Sequence, residues 1–138
     1  MAAMPADLPV FLNPDAMPAP NGYSQVVLVP AGARLVQLAG QVGIRPDGTI
    51  AGPGFAEQAE QAFANVEAGL AAAGSGFEHV IRLGMFVTDF AAQGPTLRAV
   101  RDRYVNVAAP PVSTTLQVSR FFREGLLFEL DVLAMVPG

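Results

Sequence analysis

Residues 126–136 alternate: Leu126, Phe128, Leu130, Val132, Ala134 and Val136 form one apolar set, and Glu129 and Asp131 fall on two of the positions between them. A period of two is that of a strand, so the two carboxylates share one face and the apolar set lines the other. Residues 112–119 alternate in the same way, Val112, Thr114, Leu116 and Val118 on one side and Ser113, Thr115, Gln117 and Ser119 on the other. Residues 80–88 are apolar on both faces except at Arg82 and Thr88, which predicts a buried strand. Phe55, Ala59, Ala62, Phe63, Val66, Leu70 and Ala73 recur at helical spacing, with Glu57, Glu60, Gln61 and Glu67 elsewhere on the wheel. That pattern predicts an amphipathic helix of about five turns ended by Gly74. A shorter helix is predicted from Pro95, a favoured first helical residue, to about residue 105, with Leu97, Val100 and Tyr104 inward.

Residues 23–29 and 35–42 are β-rich runs joined by the turn-forming Pro30-Ala31-Gly32-Ala33, which predicts a hairpin, and Asp47-Gly48 between Ile44 and Ile50 predicts a tight turn. The order is β-β-α-β-α-β-β, with two helices over one face of a mixed sheet: an α+β two-layer sandwich in one domain, residues 1–138. Residues 1–20, with prolines at 5, 9, 14, 18 and 20, read as an irregular N-terminal arm.

Composition narrows the chemistry. With 51% hydrophobic and 14% charged residues, the chain has more apolar sheet surface than two helices can cover, so association through sheets is expected. Net charge is −4 and the basic residues are eight arginines with no lysine, which argues against a nucleic-acid partner. Without lysine there is no Schiff-base amine, and without cysteine no thiol nucleophile, disulfide or thiolate metal site. The single histidine, His79, reads as a loop residue between helix and strand, and no metal site is expected. Neither a signal peptide nor a bilayer-spanning run is recognisable, so no membrane partner and a cytoplasmic location are expected. A half-buried carboxylate is costly unless paired, so Glu129 and Asp131 are each either held in a structural ion pair or kept for chemistry.

Pro20-Asn21-Gly22-Tyr23-Ser24-Gln25, Leu38-Ala39-Gly40-Gln41-Val42, the helix ending Ala71-Ala72-Ala73-Gly74, Val87-Thr88-Asp89, Pro111-Val112-Ser113-Thr114-Thr115 and Glu129-Leu130-Asp131-Val132-Leu133-Ala134 occur in that order. Together they resemble the reactive intermediate deaminase (RidA/YjgF) family over nearly the whole chain from about Asn13. The resemblance implies a chorismate-mutase-like fold, a homotrimer with three inter-subunit clefts, and hydrolysis of reactive imines or enamines to ketoacids and ammonia without a metal or organic cofactor. Carried over by position, Tyr23 lines the pocket, Gly40 lets a ligand approach the backbone, and Glu129 positions water. The family's carboxylate-gripping arginine is not matched: Ser113 stands at its position, and Thr115 stands where many members have cysteine. A hydroxyl offers one neutral hydrogen bond where a guanidinium offers two charge-assisted ones.

Two functions follow. One is a hydrolase or deaminase acting on a small imine or enamine, with Glu129 activating water, Ser113 and Thr115 supplying hydroxyl contacts, and Arg98 or Arg34 entering the cleft in place of the missing arginine. The other is a non-catalytic small-molecule-binding or regulatory trimer of the same fold.

Overall fold

The apolar stripe that predicts the long helix is buried along its length: Ala59, Ala62, Phe63, Val66 and Leu70 have no exposed surface. The computed structural model, which describes residues 8–138, places this helix, α1 (Phe55–Ala72), after four short strands. These are β1 (Val10–Leu12), β2 (Val26–Leu28), β3 (Arg34–Gln37) and β4 (Gln41–Val42). A 3-10 turn (Phe77–His79), β5 (Val80–Val87), α2 (Phe90–Arg101), β6 (Val112–Gln117) and β7 (Phe128–Val136) complete the chain. Gly74, at φ +79°, ends α1 in the left-handed conformation that glycine adopts without steric cost.

The main sheet has the order β3-β7-β5-β6, and β4 shares with β3 one edge of β7. β5 and β6 are parallel, joined through α2, and the pairs made by β7 are antiparallel. Register decides which side chains share a face. Met85 lies opposite both Leu130 and Thr115, on the helix-covered face, whereas Phe86 lies opposite Glu129 on the other. On the covered face Phe63 stacks between Tyr104, Phe77 and Phe128, with ring centroids 5.1, 5.9 and 6.1 Å away. Burying each such ring contributes on the order of 2 kcal/mol.

This is the α+β two-layer sandwich expected from the pattern, with three corrections. The hairpin between residues 23–29 and 35–42 does not form. The turn is there, with Ala33 N–H donating to Pro30 O at 3.2 Å, but β2 pairs with β1 and β3 pairs with β7. Val10–Leu12 is therefore a strand inside what reads as an irregular arm; residues 1–7 of that arm lie outside the described residues. The second helix starts at Phe90, not Pro95, because Asp89 caps it: its Oδ1 accepts from Ala92 N–H at 3.2 Å, so Pro95 lies within the helix. The Asp47-Gly48 turn forms as expected, closed by Arg45 N–H to Thr49 O at 2.8 Å.

Candidate functional site

Ser113 and Thr115, two residues apart on β6, point to the helix side of the sheet and meet the flank of α2 across a cavity of about 740 Å³. Tyr23 is brought to the same cavity by its neighbour. Ser24 donates its N–H to Pro111 O at 3.2 Å and its hydroxyl to Pro110 O at 2.5 Å, tying this segment to the start of β6. Met85 from β5 and Phe90 and Leu97 from α2 give the cavity apolar walls.

Arg98 and Arg101, three residues apart on one face of α2, bring two guanidinium groups to it. Arg98 Nη2 donates to Asn21 Oδ1 at 2.8 Å. Arg101, only 9% exposed, donates from Nε and Nη2 to Asp102 Oδ1 at 3.1 and 2.8 Å, while Arg98 Nε stands 4.0 Å from Asp102 Oδ2. Gly22, at φ +83°, passes so close that a Cβ there would lie 2.7 Å from Arg101 Nη2 and 2.9 Å from Arg98 Nη2.

Glu129 and Gly40 form a second group. A Cβ on Gly40 would lie 2.6 Å from Glu129 Oε2, so the missing side chain is what leaves room for the carboxylate. Among the described residues Glu129 makes no side-chain hydrogen bond or ion pair. Its pKa is raised above the ordinary glutamate value, first by burial and then by the nearby Asp131 charge. Asp131 is tied down, accepting from Gln37 Nε2 at 2.6 Å and lying 3.6 Å from Arg82 Nη1.

The structure thus gathers Tyr23, Ser113, Thr115 and Arg98 on the helix side of the sheet and sets Gly40 and Glu129 on the opposite face. Arg34 does not reach the cavity: it sits on β3 opposite Val136, beside a different and smaller hollow. Arg101 and Asn21 are additions to the sequence-based set. The signal for Arg101 was its spacing of three from Arg98 once both fall in one helix. His79 closes the 3-10 turn before β5, between helix and strand, with Nδ1 buried and without a hydrogen-bond partner among the described residues. Among the described residues no cluster of three or more His, Cys, Asp or Glu could hold a metal ion.

Residues 14–136 match the family described as endoribonuclease L-PSP. The RutC family protein YjgH of Escherichia coli K12 is 37% identical over 103 residues, covering 75% of this chain and 76% of its own. Protein DfrA of Myxococcus xanthus is 38% identical over 114 residues, covering 82% and 84%. Among solved structures, YyfB of Yersinia pestis, a Rid-family protein of unknown function, superposes with a TM-score of 0.84 at 27% identity over 92% of this chain and 98% of its own. The structure of YjgH superposes at 0.63 with 34% identity over 75% and 78%.

Proposed function

The chain belongs to the endoribonuclease L-PSP family, also called YjgF or RidA, and from that premise we propose a hydrolase that deaminates a small imine or enamine in a cleft between subunits. The observation that carries this is the division of the candidate residues between two faces of one sheet. Within a single protomer Glu129 stands behind the sheet from Ser113, Thr115 and Tyr23. A second copy that lays its Glu129 face over the first copy's cavity completes the set, and a homotrimer repeats that contact three times.

The chemistry needs water alone as co-reactant. An enamine first takes a proton on carbon and becomes the iminium ion, the protonated imine. Water then adds to the C=N carbon and gives one proton to the Glu129 carboxylate, leaving a neutral carbinolamine. Glu129 returns that proton to nitrogen, the C–N bond breaks with its electron pair leaving on ammonia, and the hydroxyl proton passes to the Glu129 carboxylate as C=O forms. A carboxylate whose pKa is moved toward neutrality suits both directions of that transfer. Ser113 and Thr115 orient the substrate, and closure by the second copy keeps bulk water out.

Neither a nucleic-acid nor a membrane role is proposed. The net charge is −4 with no lysine, and among the described residues no helix is long and apolar enough to cross a membrane. A cytoplasmic location is part of the same proposal. Ser113, standing where the family resemblance expects an arginine, favours the alternative of a binding or regulatory trimer. The two separate in one assay: imines generated in place by an amino-acid oxidase, with ammonia release followed with and without the protein. Faster release that is lost in Glu129→Gln supports the hydrolase. Ligand-induced stabilisation with no added ammonia supports the binding trimer.

A further inference from the structure

Gly94 and Pro95, the two residue types that least favour a helix interior, stand side by side in the middle of α2, and both line the cavity together with Ala91. Proline has no N–H, so the α-helical bond from position 95 to Ala91 O cannot form. The neighbouring donors are committed elsewhere. Gln93 N–H closes on Asp89 O at 2.9 Å, and in the same helical pattern Gly94 N–H belongs to Phe90 O. Among the described residues no side chain, and no backbone N–H from outside the helix, donates to Ala91 O. A helical carbonyl lies on the patch bounded by its own residue and those three and four positions on. For Ala91 these are Gly94 and Pro95, so the free oxygen belongs to the cavity wall. Glycine leaves it unshielded: the nearest neighbour of a Cβ at position 94 would be the Phe90 ring at 3.6 Å, an ordinary contact, so packing alone does not require glycine there.

We propose that Ala91 O is the nitrogen-recognition point of this cleft: a main-chain acceptor, left open by Pro95, that takes the N–H of the substrate imine and holds the nitrogen until the C–N bond breaks. The inference rests on the cleft assignment above and names the substrate class of that same site, C=N compounds whose nitrogen still carries hydrogen. Position supports the assignment. Phe90 N–H donates to Gln117 Oε1 at 2.8 Å, and Gln117 follows Thr115 by two on the same face of β6, so the start of α2 sits at the Thr115 end of the cavity. Gly22, packed against Arg98 and Arg101, marks the other end. Charge supports it as well. Among the described residues no aspartate or glutamate lines the cavity, so within one protomer the positive charge of an iminium nitrogen meets a carbonyl dipole rather than a carboxylate. Once a second copy covers the cavity and excludes water, an unmet carbonyl is costly, and a ligand N–H removes that cost. A ligand whose nitrogen is fully substituted leaves the oxygen buried without a partner, which is the stronger half of the selection.

The test titrates the purified protein with 3-phenylpropionamide, an N–H donor on an apolar body, and with N,N-dimethyl-3-phenylpropionamide, which has no N–H. The primary amide is expected to bind about tenfold more tightly, the cost of leaving one buried acceptor unmet. Pro95→Ala restores the missing helical donor. Its new N–H at position 95 should bond Ala91 O and resist hydrogen exchange, and the preference between the two amides should fall to about one. Thr96→Ala, at a neighbouring position that does not line the cavity, also favours the helix but supplies no donor, and should keep the tenfold preference. If Pro95→Ala does not fold, Pro95→Ser, which supplies the same N–H, takes its place. Equal binding of the two amides by wild type, no binding of the primary amide, a preference that survives in Pro95→Ala, or a new N–H that exchanges freely overturns the inference. The oxidase assay separates it from the reading it rests on. Ammonia release that is accelerated by wild type and unchanged in Pro95→Ala overturns nitrogen recognition and leaves the hydrolase standing. A Pro95-dependent preference for the primary amide with no acceleration of ammonia release sustains the inference and removes the hydrolase.

Discussion

Glu129 and Asp131 are neighbours on one face of β7, yet they are held in different ways. Asp131 is fixed by Gln37 and Arg82; Glu129 has no pairing partner among the described residues, is partly desolvated and is raised in pKa. Burial that penalises the charged form also makes the group a destabilising one once it ionises. Below the unfolded-chain value, roughly 4.3, the group is protonated in both states and costs nothing. As pH rises from there through the raised folded-state value, the folded chain binds more protons than the unfolded one, and stability falls. Glu129→Gln should therefore melt at or above wild type near neutral pH, with the gap closing as pH is lowered below about 4. The same substitution should reduce turnover by about 10²-fold or more if Glu129 shuttles the proton. A melting temperature that drops at neutral pH would instead mark a structural acceptor. Gly40 supplies a companion experiment. Its Cβ would press on the far end of the Glu129 side chain rather than on backbone, so Gly40→Ala should displace the carboxylate and lower activity while thermal unfolding stays within a few degrees of wild type.

At the scale of elements, α1 does more than bury a stripe. Gln58 on its first turn is fully buried; it donates to Gly125 O at 2.8 Å and Gly52 O at 3.2 Å and accepts from Leu127 N–H at 2.8 Å, pinning the loop that delivers β7. Gln58→Ala leaves those three backbone groups without partners, and at about 1 kcal/mol each the loss should approach 3 kcal/mol in urea unfolding. A loss under 1 kcal/mol would show that the loop is held by its own packing, through Phe121 and Leu126. Such an anchor was not legible in the sequence because a helical wheel ranks glutamine with the solvent face, and its partners lie up to 69 residues away. What was legible is what a single element encodes by itself: the α1 stripe, the alternation of β6 and β7, and the Asp47-Gly48 turn. Strand pairing depends on a distant partner, which is why β2 joins β1 and β3 joins β7 although a turn connects β2 to β3. The start of α2 was misplaced because a capping aspartate outranks a proline as a start signal; Arg98 and Arg101 both fall within the helix predicted from Pro95, so their spacing of three was readable, but that their face borders Ser113 and Thr115 depends on how α2 packs on the sheet. Tyr23, Ser113 and Thr115 could be named by family position, but that Glu129 lies behind the sheet from them is a matter of register.

The whole molecule presents a sheet face that neither helix covers, with Phe86 packed beside Phe121 and Leu126, with Leu133, Glu129 and Asp131 half-buried on it, and with Leu116 and Leu35 more than half exposed. Apolar residues on a face that neither helix covers favour association. Light scattering at micromolar concentration should give three times the mass of the 14.4 kDa chain, and a stable monomer would refute the trimer. Mass alone does not tell whether a site is shared, but mixed assembly does. Ser113→Phe fills the cavity side of the site and Glu129→Gln disables the other, so either homotrimer should be inactive. If one protomer supplies the cavity and the next supplies Glu129, refolding the two variants together in equal amounts creates sites with an intact cavity from one chain and an intact carboxylate from the other. Random mixing makes each half intact with a probability of one half, so about one quarter of the sites should recover, and activity should return to about that fraction of wild type. If both halves act within one chain, no mixed trimer contains an intact site and activity stays at background. The recovered fraction therefore measures directly whether the division of residues between the two faces of the sheet is the division of labour between two subunits.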